Sequence, residues 1–239
     1  MRKRHVFVTG ATGYLGRQAI PELLARGHAV RALARPGSAS RLPVASGCEA
    51  VTGDALDAAS FAGFIVRVPP CDTFLQLVGV PHPSPAKAAL FRTVDLASLK
   101  ASVEAVEAAS AGVAPGATVS HFVYVSVAHP APAMKAYWQA RAEGEEILRA
   151  SGIPATILRP WYVLGPGHRW PYALVPFYRI LERLPPTRES ARRLGLVTLA
   201  QMVRALVASV EAGPPPAPSP RIVEVPEIRA ASLPPPLSA

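Results

Sequence analysis

The glycines that follow the first apolar run most constrain what this chain can fold into. Residues 6–16 read Val-Phe-Val-Thr-Gly-Ala-Thr-Gly-Tyr-Leu-Gly, which places Gly10, Gly13 and Gly16 between a strand pattern and a helical pattern. Glycine lets the chain turn sharply at Gly10, lets a pyrophosphate approach the backbone at Gly13, and lets the new helix pack close to the sheet at Gly16. The N–H groups that open such a helix attract phosphate. The segment therefore predicts a strand–turn–helix unit that binds a dinucleotide.

Short apolar runs and helical patterns alternate along the chain as far as Arg159. The predicted strands are His5–Thr9, Ala29–Ala34, Glu49–Thr52, Thr73–Leu77, His121–Ser126 and Ala155–Arg159. The predicted helices are Gly16–Arg26, Ala55–Ala62, Thr93–Ala111 and Ala133–Ala150. Apolar runs without strict alternation are typical of strands buried on both faces. The order predicts an α/β fold with a doubly wound parallel (Rossmann) sheet, in which ligands bind outside the carboxyl ends of the strands.

Composition predicts one packed unit with a basic surface. The 239 residues, half of them apolar, suffice for a full core. The formal net charge of +9 attracts anions in general, but the basic clusters at residues 2–4 and 188–193 contain no aromatic residues. Because nucleic-acid faces interleave cations with aromatic side chains, the sequence argues against a nucleic-acid partner.

The two cysteines and the apolar runs bear on location. Cys48 and Cys71 fit a reducing compartment, and no Cys/His spacing suits a metal ion. The first strand begins at about His5, which leaves no room for a signal peptide, and no apolar run reaches membrane-span length. We therefore expect a cytoplasmic protein with no metal site and no membrane span.

The glycine spacing also carries a family resemblance. Residues 9–16, with the spacing Gly-x-x-Gly-x-x-Gly, resemble the extended and atypical branches of the short-chain dehydrogenase/reductase superfamily. Among these, the chain is most similar to the small NAD(P)H-binding proteins of the NmrA-like and complex I accessory-subunit-like group. Matching motifs run to about Gly165, and a looser similarity continues to about Arg229.

The resemblance and the proline-rich end of the chain together predict a division into three parts. These are a dinucleotide-binding core (residues 1–165), a small C-terminal annex for substrate or partner packed on the same domain (166–229) and a loose tail (230–239). Within the annex the sequence predicts helices at Leu174–Leu184 and Leu199–Glu211 and a strand at Arg221–Val225.

The end of the second strand indicates which dinucleotide is bound. NAD-specific folds carry an acidic residue there, whereas this chain has Arg35 and no nearby Asp or Glu. A guanidinium fits a 2′-phosphate, so the sequence predicts NADP, with NAD as the alternative. Arg31, Ser38 and Arg41 are close enough in sequence to assist. The competing interpretation of Arg35 is a solvated arginine on a loop.

The resemblance implies further cofactor contacts. Asp54 matches the family's adenine-binding aspartate, with Asp57 as the next choice, although Asp54 could equally cap the following turn. The family's chain passes under the ribose and nicotinamide after the fourth strand, and backbone after the sixth strand binds the carboxamide. Trp161 and Tyr162 would wall the pocket or fill the core beneath the annex. The expected cofactor-binding residues are Gly10, Thr12, Gly13, Tyr14, Leu15, Gly16, Arg35, Asp54, Ala55, Leu77, Val78, Gly79, Pro160 and Val163.

The resemblance also implies a catalytic set, in which this chain departs from the family. Family reductases pair a Tyr with a Lys four residues later on one helix face, and add a Ser or Thr after the fifth strand. Here the expected catalytic residues are Tyr137, Arg141 and Ser126, with Val127 at the position of the second hydroxyl residue. An arginine supplies charge and hydrogen bonds but cannot join a proton relay. The following Glu143 continues the family pattern.

Two functions remain open at this point. One is an NADPH-dependent reductase or isomerase of a small carbonyl or quinone-like substrate, and the other is a non-catalytic dinucleotide-binding sensor or assembly partner. His129 and His168 are alternative acids or bases on loops. If the site is a decayed reductase, Arg141→Lys combined with Val127→Ser should raise its activity.

Overall fold

The chain forms a parallel sheet at its centre. The computed structural model describes residues 2–42, 47–111, 119–166, 188–216 and 219–233. Its strands are β1 (His5–Thr9), β2 (Ala29–Ala34), β3 (Cys48–Thr52), β4 (Thr73–Gln76), β5 (His121–Val125), β6 (Ala155–Arg159), β7 (Tyr162–Leu164), β8 (Leu196–Thr198) and β9 (Arg221–Glu224). The central sheet has the order β3-β2-β1-β4-β5-β6-β9 with every neighbouring pair parallel, and β7 pairs with β8 in a separate parallel ribbon.

Helices follow most of these strands. They are α1 (Gly16–Ala25), α2 (Ala62–Ile65), α3 (Ala88–Leu90), α4 (Ala97–Ser110), α5 (Lys135–Ala150), α6 (Arg188–Arg193), α7 (Leu199–Ala212) and α8 (Val225–Ala230). A π-helical segment, Phe91–Leu96, joins α3 to α4. Helix α5 starts two residues later than expected, because Met134 adopts a left-handed conformation with φ of 57°. None of the helices in the described ranges is long and apolar enough to cross a membrane.

Apolar side chains cover both faces of the central sheet. On one face, α1 and α7 pack onto the strands through residues such as Leu23 and Leu206. On the other face, α2, α4 and α5 cover Phe7, Phe74 and Phe122, whose rings stack across β1, β4 and β5 with centroids 5.4 and 5.0 Å apart. Burial on both faces explains why the strands read as apolar runs rather than alternations.

The doubly wound parallel sheet predicted from the sequence is confirmed. Strand β9, which the sequence assigned to the annex, lies beside β6 as the seventh strand of the central sheet. The boundary predicted at residue 165 therefore does not coincide with the end of that sheet. The predicted helix Leu174–Leu184 and the last six residues of the predicted tail lie outside the described residues.

The turn after β1 crosses the end of β4 at very close range. Gly10 has a φ of 71°, and a Cβ placed on it would lie 2.6 Å from the carbonyl carbon of Leu77 and 2.7 Å from the nitrogen of Val78. Both the left-handed backbone and the lack of space require glycine here. The turn is therefore fixed against β4 by backbone contact.

We predict that Gly10→Ala destabilises the protein far more than Gly27→Ala. Gly27 has a φ of 82°, but a Cβ added to it would meet nothing within 4 Å, so its substitution isolates the conformational strain. That strain is roughly 1–2 kcal/mol. Gly10→Ala adds a clash with immobile backbone, of the order of 1–3 kcal/mol. Urea unfolding of both variants measures the difference, and equal losses of stability would contradict the close contact.

His121, the first residue of β5, is buried as a neutral side chain. Its Nε2 lies 2.9 Å from Thr156 Oγ1, and the residue is fully buried. Burial, with a smaller effect from the charge of Arg4, lowers the pKa of His121 from its ordinary 6.5 to about 4. Because folding lowers this pKa, His121 disfavours the folded state only when it must give up a proton on folding, and above pH 6.5 it is neutral in both states. Stability is therefore lost as the pH falls from 6.5 towards 4.

We therefore expect His121→Asn to weaken the pH dependence of stability. Between pH 7 and pH 5 the free energy of unfolding of the wild type should fall by about 2 kcal/mol more than that of the variant. Urea titrations at the two pH values test this, since the other titrating groups are common to both proteins. Equal falls would show that His121 is not held neutral.

Candidate dinucleotide-binding site

A cleft of about 370 Å³ opens at the carboxyl ends of β1 to β4. It lies where the strand order reverses between β1 and β4, which is the point at which doubly wound sheets bind ligands. The expected cofactor residues that line it are Gly10, Thr12, Gly13, Arg35, Asp54, Ala55, Leu77, Val78 and Gly79. Those that do not line it are Tyr14, Leu15, Gly16, Pro160 and Val163.

The glycine loop forms one wall of the cleft. Gly13 N–H donates to the carbonyl oxygen of Gly10 at 2.9 Å, and Arg17 Nε donates to that of Thr12 at 2.9 Å. Helix α1 begins without a side-chain cap, and the N–H groups of Arg17, Gln18 and Ala19 donate to the backbone oxygens of Gly13 and Leu15. A Cβ on Gly16 would lie 2.5 Å from the Ala11 oxygen, so the closest contact of Gly16 is with the glycine loop, whereas the sequence predicted close packing on the sheet.

Tyr14 and the residues after β6 point elsewhere. The Tyr14 hydroxyl packs against Gly165, just past β7, in a space that a side chain on Gly165 would fill. The carbonyl of Pro160 accepts the Ala128 N–H at 2.9 Å, and Val163 packs on the core beneath α1 and α7. These contacts lie outside the cleft lining.

The arginines around β2 differ in direction. Arg35 is exposed at the cleft and has no ion-pair partner among the residues that the structure describes. Arg31 is buried at the amino end of the strand, where it pairs with Glu49 at 2.8 Å and donates to the Arg67 carbonyl oxygen at 2.7 Å. The suggestion that Arg31 assists a 2′-phosphate was therefore wrong, because its guanidinium belongs to the other end of the sheet.

The two aspartates after β3 have separate roles. Asp54 lines the cleft, and its Oδ1 accepts the Leu56 N–H at 3.0 Å. Asp57 caps the short 3₁₀ turn Ala58–Ser60 by accepting the Ala59 N–H at 3.1 Å, and it does not line the cleft. One oxygen of Asp54 thus shapes the turn in a residue that lines the cleft, so capping the turn and binding adenine remain compatible roles.

Apolar residues that sequence reasoning missed complete the cleft. Leu56 and Leu90 line it and are 45% and 42% exposed. Val80, Pro81 and Val94 line it as well. Each reads in the sequence as an ordinary core or loop position, and only the exposure of the two leucines in the folded chain marks a surface ready for a flat apolar ring.

Tyr137 and Arg141 lie on one face of α5, as their spacing predicts. The Tyr137 ring packs 5.0 Å from the Phe91 ring and 5.6 Å from the Arg141 guanidinium carbon. Burial raises the pKa of Tyr137 above its ordinary value, although the charge of Arg141 opposes this. The phenol is therefore protonated at neutral pH.

The guanidinium of Arg141 binds the protein itself. It donates to the carbonyl oxygens of Val125 at 2.9 Å and Val78 at 3.4 Å, and it forms a buried ion pair with Asp95. Asp95 was not singled out from the sequence, because it reads as a polar residue within a helical pattern.

Ser126 belongs to a second buried polar group. Its hydroxyl donates to Glu145 Oε1 at 2.6 Å, and Glu145 also receives Arg159 Nε at 3.0 Å. Burial alone would raise the pKa of Glu145, but hydrogen bonds from His129, Arg159 and Ser126 outweigh it and hold the pKa at about 2. Glu143, which continues the family pattern, is partly exposed and pairs with Arg92 at 3.0 Å.

His129 lies at the edge of this group. Its Nε2 is 3.1 Å from Glu145 Oε1, and its ring stacks on Trp138 with centroids 6.3 Å apart. The other histidine considered, His168, lies outside the described residues. Among the described residues, no cluster of three His, Cys, Asp or Glu side chains is placed to hold a metal ion.

Comparisons with known proteins agree with this geometry. The profile of a family described as NAD(P)H-binding matches residues 10–170. The chain is 31% identical over 225 residues to the 3-diazoavenalumate denitrifying reductase of a Streptomyces species, covering 86% of this chain and 72% of that protein. It is 28% identical over 221 residues to the ceramide reductase of Caulobacter vibrioides, covering 85% of this chain and 60% of that protein.

A solved structure has the same fold. The Bordetella bronchiseptica enzyme WbmH in complex with NAD+ superposes with a TM-score of 0.64 at 20% identity, covering 92% of this chain and 86% of that one. The family match spans more than half of this chain and begins at Gly10, in the glycine loop that walls the cleft. The chain therefore belongs to the NAD(P)H-binding family and has the fold of the short-chain dehydrogenase/reductase proteins.

Proposed function

We propose that this chain binds NADP(H) in the cleft and uses it to reduce a small carbonyl or quinone-like substrate. The observation that carries the proposal is the cleft itself, in which the glycine loop and Arg35 lie at the switch point of the sheet. The similarity to the Streptomyces and Caulobacter proteins, both named reductases, supports the reaction class.

The cleft residues suit the parts of NADP(H) in turn. The loop at Thr12 and Gly13 lets the pyrophosphate approach the backbone, and the start of α1 offers it the positive end of the helix dipole. Asp54 offers a carboxylate to the adenine amino group, and the exposed Leu56 and Leu90 offer apolar contact to the adenine ring. Arg35 offers an exposed guanidinium at the end of β2, where a 2′-phosphate would lie.

Tyr137 is the proposed proton donor of the reduction. When bound, the dihydronicotinamide supplies a hydride to the carbonyl carbon of the substrate. The Tyr137 hydroxyl gives its proton to the carbonyl oxygen, which leaves an alcohol. Because its pKa is raised, the phenol stays protonated throughout the neutral range, as a donor must, but it is a weaker acid than a free tyrosine, which fits a slow reduction.

A non-catalytic dinucleotide sensor is the second candidate. It is favoured by the internal contacts of Arg141 and Ser126, whose polar groups are bound to Asp95 and Glu145. Both candidates share the NADP(H) site, so they differ only in turnover. A cytoplasmic location is part of the proposal for either, and the free thiols of Cys48 and Cys71 support it.

We expect NADPH to bind more tightly than NADH, with Arg35 as the cause. Losing a charge-assisted phosphate contact costs about 1.5–3 kcal/mol, so Arg35→Ala should weaken NADPH binding roughly tenfold or more and leave NADH binding unchanged. Arg149→Ala is the matched control, because it removes one exposed positive charge at the last turn of α5, outside the cleft. Calorimetric titration of the three proteins measures this. Equal affinities of the wild type for the two dinucleotides would exclude the NADP preference.

Turnover should be weak and should depend on Tyr137. A positioned acid contributes about 10²–10⁴-fold, so Tyr137→Phe should remove most NADPH oxidation against a panel of aldehydes, ketones and quinones. Tyr124→Phe removes another buried hydroxyl beside Arg141 and should keep most of the activity. Turnover that survives Tyr137→Phe would transfer the acid role to another residue, and tight NADPH binding without turnover on any substrate would favour the sensor.

A further inference from the structure

A chain of buried polar side chains lies beneath the cleft. The Thr9 hydroxyl donates to Gln76 Oε1, and Gln76 Nε2 donates to Ser98 Oγ at 3.1 Å. Ser98 Oγ donates to the main-chain oxygen of Asp95 at 3.0 Å, and the Asp95 carboxylate pairs with Arg141. Four of these residues are at most 1% exposed and Arg141 is 6% exposed. Polar groups at this depth need hydrogen-bond partners, so these five side chains form one connected hydrogen-bond network.

The Asp95–Arg141 pair holds backbone that lines the cleft. Asp95 Oδ2 accepts the Val80 N–H at 3.1 Å, and Arg141 Nη2 donates to the Val78 carbonyl oxygen at 3.4 Å. Gly79 lies between the two, and a Cβ on it would be 2.5 Å from Arg141 Nη2. The peptide groups on both sides of Gly79 are therefore fixed by one ion pair.

An arginine suits this position better than a lysine. Nη1 of Arg141 donates to the Val125 oxygen at 2.9 Å while Nη2 serves Asp95 and Val78, so the two nitrogens reach acceptors on three segments. A planar guanidinium presents donors in fixed, divergent directions, whereas an ammonium is a single compact charge. Lysine would leave part of this set without partners, and a buried carboxylate with a poorly placed cation is destabilising.

We propose that Asp95 and Arg141 are positioning residues that fix the cleft floor, Val78–Val80, against α5. The inference rests on the proposed function only in that the cleft holds NADP(H). The sequence alone suggested that Arg141 replaces the family's catalytic lysine in a reductase that has lost activity. The structure instead gives Arg141 a partner of its own, Asp95, and a role in holding the cleft floor. Arg141→Lys therefore weakens cofactor binding and does not restore a reductase.

The experiment compares buried ion pairs inside and outside the site. The variants are Asp95→Asn and Arg141→Lys, and the control is Glu211→Gln, which breaks the equally buried pair with Arg26 outside the cleft. All three should lower the denaturation midpoint. At a temperature where circular dichroism shows each protein folded, only the first two should raise the Kd for NADPH, roughly tenfold or more. Hydrogen exchange without cofactor should show faster exchange of the Val80 amide in Asp95→Asn than in Glu211→Gln.

A fourth variant separates positioning from stability. Asp95→Leu combined with Arg141→Met removes both charges and keeps apolar packing, which often recovers stability. It should regain its denaturation midpoint yet still bind NADPH weakly, because Val78 and Val80 have lost their partners. Wild-type affinity in this variant, or in both folded single variants, would overturn the proposal.

The two proposals fail in different ways. A wild type that binds no NADPH contradicts the proposed function, while the Val80 exchange rates still decide whether the pair fixes the floor. Unchanged Val80 exchange in Asp95→Asn, relative to Glu211→Gln, contradicts the clamp whatever the cofactor result.

Discussion

The contact between Gly10 and the end of β4 is the constraint on which the candidate site depends. Two backbone segments meet where a side chain would lie 2.6 Å from a carbonyl carbon, so the turn after β1 cannot move away from Leu77 and Val78 without opening the sheet. The glycine loop and the strand end then form adjoining walls of one cleft. The hydrogen bond from Thr9 to Gln76 holds the same two strands together one residue earlier. Steric fit and buried hydrogen bonding thus act on the same junction.

Which arginines are available to a ligand depends on their ion-pair partners and not on the net charge of the protein. Although the formal net charge is +9, three buried or half-buried arginines near the sheet each have a carboxylate partner. These are Arg31 with Glu49, Arg141 with Asp95 and Arg159 with Glu145. Arg35 differs in being exposed at the cleft without such a partner among the described residues. An exposed guanidinium keeps its donors available, which is what recognition of a phosphate requires.

Much of the fold followed from the sequence because its signals are local. The glycine spacing and the apolar runs define β1 and the strands beside it within a few residues, and positive φ angles at Gly27 and Gly152 match their positions just past α1 and α5. Pairing between distant segments has no local signal, which is why β9 was not placed in the central sheet. The bounds of β3, β4 and β5 differ from the predicted ones by one residue for the same reason, since a strand ends where its hydrogen bonds to the neighbouring strand stop.

The parts of the site that escaped sequence reasoning depend on which way side chains point. Arg31 and Arg35 are four residues apart, yet one faces the amino end of β2 and the other the cleft. Glu145 and Glu143 are two residues apart on α5, and only Glu145 is buried among hydrogen-bond donors. Asp95 can be recognised as a site residue only through its ion pair with Arg141, which is 46 residues away in sequence. Such pairs are decided by packing and not by spacing.

A crystal structure of the protein grown with NADPH tests the central claim most directly. We expect the pyrophosphate at the Thr12–Gly13 backbone and the start of α1, the adenine near Asp54, and the 2′-phosphate on Arg35. A dinucleotide bound elsewhere, or a cleft that stays empty at saturating NADPH while the protein is folded, would contradict it.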